Sequence, residues 1–106
     1  MLKLVVFVPD SHKESVKKAL FEAGAGSQGA YSECAWEIEG RGQFRPRAGA
    51  NPTLGQVGAL EYVNEWRVEM LVDESRWSTV KQALIHSHPY ESPAYDVAAL
   101  FDSGAG

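Results

Sequence analysis

The chain has 106 residues, 44% of them hydrophobic and 23% charged, with a formal net charge of −4. That length predicts a single domain with one small core, and the acidic balance speaks against a general nucleic-acid-binding surface. No apolar run reaches the roughly 18 residues of a membrane span, a single cysteine (Cys34) allows no internal disulfide, and the N-terminus lacks the basic start of a signal peptide, so the expected location is cytoplasmic.

Leu2 to Val8 is almost wholly apolar and rich in β-branched residues. Such a run marks a central strand that wants cover on both faces. Ser11 with Glu14 fits a capping box. It opens a helix with Val16, Ala19, Leu20 and Ala23 at the spacing of a buried stripe. Gly24 is placed to end that helix in the left-handed conformation. Tyr31 to Gly40 alternates, which predicts a half-buried strand with Cys34, Trp36 and Ile38 on its inner face.

The connection from Arg41 to Ala59 is long for a hairpin, where about two to five residues are usual. Glu61 to Val72 alternates again, with Trp66, Val68, Met70 and Val72 inward and Arg67 and Glu69 outward. Asp73 caps a second helix, whose apolar stripe is Trp77, Val80, Ala83 and Leu84. Pro89 and Pro93 exclude a helix over His88 to Asp96 and make that stretch a stiff, extended corner. Tyr95 to Phe101 predicts a short last strand. The order β-α-β-β-α-β predicts an α+β, ferredoxin-like sandwich: an antiparallel sheet with both helices on one face. It spans 1–101, with 102–106 as a flexible tail.

Two clusters could carry function. Arg41, Arg45 and Arg47 flank Phe44 in the long glycine-rich connection. Arginine offers a planar fork to phosphate or carboxylate, so the cluster is a candidate site for a small anion. The blander reading is an interface or solvated loop, and a protein partner is the alternative occupant. The second cluster is His88 to Asp96. His88 and Glu91 have the ligand types for a divalent metal ion, the one cofactor for which the sequence offers residues. The commoner reading of His88 is a structural imidazole bonded to Glu91 or to backbone. Tyr90 and Tyr95 can pack at a subunit boundary. No catalytic spacing declares itself, and Cys34 reads as a small core residue within its strand, so the chain is not expected to be an enzyme.

The pieces Ala23-Gly24-Ala25-Gly26, Gly40-Arg41-Gly42-Gln43-Phe44-Arg45-Pro46, Gly49-Ala50-Asn51-Pro52 and His88-Pro89-Tyr90-Glu91 through Ala94-Tyr95-Asp96-Val97 occur in this order. Together they resemble the insert domain of YqfO-type proteins of the NIF-three-like family. His88-Pro89-Tyr90-Glu91 is also similar to the motif of the CutA divalent-ion-tolerance proteins. The resemblance implies a PII/CutA-type fold, a homotrimer assembled through sheet edges, and a non-catalytic binding or regulatory role. The alternative it implies is divalent-metal binding of the CutA kind. It also implies that the long connection, with Arg41, Phe44, Arg45, Arg47 and Tyr90 nearby, takes part in ligand or partner binding. Neither a nucleic acid nor a membrane is an implied partner. Ser92 stands where the family usually has a second acidic residue, and Ala30 where an Asn is common.

Overall fold

A computed structural model describes residues 1–101; the tail expected over 102–106 lies outside the described residues. The elements are β1 (Leu2–Pro9), α1 (Lys13–Glu22), β2 (Trp36–Phe44), β3 (Glu61–Val72), α2 (Trp77–Ser87) and β4 (Tyr95–Ala99). They form one antiparallel sheet in the order β2-β3-β1-β4. This is the ferredoxin-like sandwich the element order predicts. No helix among the described residues is long and apolar enough to cross a membrane.

The core follows from strand periodicity. Leu4, Val6 and Val8 face one way from β1, opposite Met70, Val68 and Trp66 of β3. Val16 and Leu20 of α1 and Val80 and Leu84 of α2 are fully buried in the same cluster. Both helices therefore cover the same face of the sheet. α1 ends as its glycine predicts: Gly24 has φ +111°, its N–H donates to Phe21 O, and the Ala25 N–H donates to Leu20 O. That pair of bonds is a Schellman motif, and it drops Ala25 into the core beside Leu20.

Two local expectations are corrected. The Ser11–Glu14 capping box does not form. A 3₁₀ turn over Asp10–His12 precedes α1, no side chain caps the helix, and Ser11 Oγ instead lies 2.8 Å from His12 Nδ1. The predicted strand at Tyr31 to Gly40 is shifted and turned over: it starts at Trp36, continues to Phe44, and has Trp36 59% and Ile38 51% exposed. Register explains the inversion. Trp36 lies opposite Glu69 and Ile38 opposite Arg67, on the face the helices leave open; Glu37 lies opposite Val68, on the helix side. There it accepts hydrogen bonds from Lys13 and from Lys17 (2.6 Å) of α1. Alternation shows that the two sides of a strand differ, but not which one meets the helices.

Candidate functional site

β2 and β3 pair out to Phe44 and Glu61, so Arg41 belongs to the strand and the free connection runs over 45–60. That connection folds back over the end of the sheet and docks on the corner that follows α2. The Asn51 N–H donates to both Glu91 carboxylate oxygens (3.1 and 3.3 Å). Thr53 Oγ1 donates to Pro89 O (3.0 Å). Within the loop, Arg45 Nη1 donates to Gly58 O (2.8 Å) and the Gly58 N–H to Pro46 O (2.7 Å).

The corner is anchored to β1. His88 is 6% exposed; its Nε2–H donates to Phe7 O (2.7 Å), and its Nδ1 accepts the Tyr90 N–H (3.2 Å). The Phe7 N–H in turn donates to Ala94 O (3.0 Å). Burial pushes the His88 pKa down, against the bond to Phe7 O, and nearby His12 lowers it further. Protonation would also set an Nδ1–H against the Tyr90 N–H, two donors face to face.

Between loop and corner lies a pocket of about 290 Å³, lined by apolar residues that include Phe44, Pro46, Pro52, Leu54 and Ala94 and by the polar Arg45, Glu65, Tyr90 and Glu91. Glu65 projects from β3 on the open face of the sheet, opposite Gly40. Burial pushes its carboxyl pKa up. A Cβ at Gly42 would land on Glu65 Oε1, so a glycine there keeps the space for the carboxylate. Tyr90 Oη is buried without a hydrogen-bond partner. Burial, then the Glu65 charge, raises the phenol pKa.

Phe44, Arg45 and Tyr90 line one pocket together with Glu91. Arg41 and Arg47 do not line it. Arg41 lies over the Tyr62 ring, 4.6 Å from its centroid, and Arg47 is exposed. Of the three arginines only Arg45 lines this pocket, and β2–β3 pairing carries Arg41 to another surface. The candidate metal ligands His88 and Glu91 both have partners within the chain. His88 has no free ring nitrogen, Glu91 is engaged by Asn51, and the described residues hold no group of three or more His, Cys, Asp or Glu suited to a metal ion.

Cys34 is partly exposed rather than in the core, and it precedes β2. It lines a shallow depression with Lys3, Trp36 and Glu69, sharing no residue with the Tyr90 pocket. Sequence reasoning missed Glu65, which it left unassigned on β3. No local sequence signal marks it: it lies opposite Gly40 only once β2 and β3 are in register, and Gly42 leaves room for its carboxylate.

No family model matches the chain. It is 48% identical over 104 residues to the "GTP cyclohydrolase 1 type 2 homolog" of Halalkalibacterium halodurans, covering 98% of this chain but 28% of that protein. The chain thus spans little more than a quarter of that relative. The crystal structure of a Bacillus cereus protein related to NIF3 superposes with a TM-score of 0.83 at 44% identity, over 95% of this chain and 26% of the other. CutA1 from Pyrococcus horikoshii superposes with a TM-score of 0.72 at 22% identity, over 98% and 87% of the two chains. The fold is therefore of the CutA type, and the sequence is akin to one part of larger NIF3-related proteins.

Proposed function

We propose that the chain is a non-catalytic binding module of the NIF-three-like family, of PII/CutA-like type. In this reading it assembles as a homotrimer and takes a small ligand between the 45–60 connection and the corner at 88–94. The carrying observation is the pocket itself. A long loop is pinned by hydrogen bonds to a stiff corner, and the two enclose an apolar cavity with a few polar groups, the usual form of a small-ligand site. The name carried by the larger relatives supplies no chemistry here. Cys34 and the Tyr90 pocket lie toward opposite ends of β3, Leu71 beside one and Glu65 beside the other. Six residues of strand, about 20 Å, separate those ends.

The test has two readouts. Light scattering on the full chain is expected to return three times the 11.6 kDa of one chain; a stable monomer at micromolar concentration would overturn the trimer. Thermal shift across nucleotides, amines, small carboxylates and divalent metals is expected to identify a ligand, since a ligand at a hundred times its Kd stabilises by about 2.7 kcal/mol. Ala94→Phe, which fills the pocket, is expected to abolish the shift. A shift that survives it would place binding elsewhere. GTP is expected to remain unconsumed by the isolated chain, and turnover would contradict the non-catalytic reading.

A further inference from the structure

The polar groups of the pocket favour a class of ligand opposite to the one its arginines suggest. Only Arg45 lines it, and one arm of that guanidinium is already given to Gly58 O. Two carboxylates, Glu65 and Glu91, and the Tyr90 phenol line the same pocket. Glu91 is satisfied by the Asn51 N–H. Glu65 makes no hydrogen bond or ion pair among the described residues, although it lines the pocket, and burial raises its carboxyl pKa. Tyr90 Oη is equally unpartnered, and buried. Both groups line the same pocket, and the Glu65 charge adds to the upward shift of the phenol pKa.

An ionised carboxylate can only accept hydrogen bonds, and a half-buried one without a partner destabilises the fold. What would satisfy this arrangement is a group bearing several N–H donors and a positive charge. An anion in the same place would share the pocket with two carboxylates. Phe44, Pro46, Pro52 and Leu54 supply apolar lining.

We propose that the pocket receives a cationic nitrogen group, an amine or amidine on a compact apolar body, which donates to the Glu65 carboxylate and to Tyr90 Oη. This rests on the pocket being a ligand site and names the chemistry that site selects. The group can come from a free small molecule or from a lysine or arginine side chain of a second copy; the recognition is the same.

The probes are benzamidine and its anionic counterpart benzoate, applied to the full chain at neutral pH. Backbone amide NMR signals of Thr53 and Tyr90 and the melting temperature are followed. Benzamidine is expected to move both signals and raise the melting temperature, and benzoate to do neither. Glu65→Gln is expected to weaken benzamidine about tenfold or more, the scale of a hydrogen bond to a charged group, and Tyr90→Phe by a smaller factor. If Glu65→Gln does not fold, the wild-type pH profile carries the same test: affinity must fall as Glu65 is protonated. If instead benzamidine lowers the assembly mass in light scattering, and Glu65→Gln does the same, the cation comes from a second copy and the assignment of Glu65 holds. Benzoate moving the Thr53 and Tyr90 signals while benzamidine does not would overturn the cationic class and leave the pocket a ligand site. Neither probe moving them, with the assembly mass insensitive to both, would overturn the class and the pocket reading together.

Discussion

The imidazole of His88 is committed on both nitrogens, to Phe7 O and to the Tyr90 N–H. Its role is to tie the corner after α2 to the central strand. Because burial holds its pKa below the ordinary value of 6.5, folding favours the neutral ring. The stability it contributes is full above pH 6.5 and is lost as pH falls from there through the folded-state value. Urea denaturation between pH 5 and 8 is expected to show that slope, and His88→Ala to remove it along with about 2–3 kcal/mol, the cost of orphaning buried partners. An unchanged slope in the variant would assign the pH dependence to another group. Tyr90 presents the opposite case. Its hydroxyl is buried without a partner, so Tyr90→Phe is expected to leave stability unchanged or raise it by about 1 kcal/mol in thermal melts. A loss of that size would mean the hydroxyl has a partner in the folded chain.

Strand β2 is held to the helical layer by charge rather than by apolar packing. Glu37 receives Lys13 and Lys17, and Lys13 also lies over the Trp66 ring at 3.6 Å. The hydrogen bond from Lys13, then that from Lys17, lowers the Glu37 pKa below its ordinary 4.5. Its contribution is thus present above pH 4.5 and lost as pH falls through the folded value. The pairs are partly solvated and screened, so Glu37→Gln is expected to cost no more than about 1 kcal/mol, less at high salt; denaturant titrations at low and high ionic strength measure it. Helices, the glycine stop of α1 and the central strand were readable from periodicity and from Gly24, since those depend on local geometry. The orientation of β2 was not, because an edge strand can turn its apolar side to the helices or away from them. The arginine cluster dispersed for a related reason: Arg41, Arg45 and Arg47 are neighbours in sequence, but pairing continues to Phe44 and sends Arg41 to another surface.

The whole sheet has one face covered by helices and one open. The open face carries Trp36 and Ile38 beside Arg67 and Glu69, with Val5 and Phe7 behind them. The proposed homotrimer would bury exposed apolar side chains of this kind. Trp36→Glu combined with Ile38→Glu is expected to yield a folded monomer by light scattering and circular dichroism, because neither side chain belongs to the core cluster. A trimer that survives the double substitution would place the interface elsewhere, along the edge strands β2 and β4. Those edges, where β2 and β4 each have one unpaired side, are the other surfaces a second copy could meet.

The order of elements, the ferredoxin-like architecture and the buried stripes of both helices were determined by the amino-acid sequence, because hydrophobic period and turn chemistry act over a few residues. The kinship with one part of larger NIF3-related proteins was legible in the same way, from short motifs kept in order. Only the tertiary structure decided which side of β2 is buried, that His88 is spent on backbone carbonyl and amide groups, and that Glu65 and Tyr90 share a pocket. Those outcomes depend on strand register and on a loop folding back across some forty residues of chain to meet Glu91. No local pattern encodes such a meeting; it exists only when the sheet is assembled.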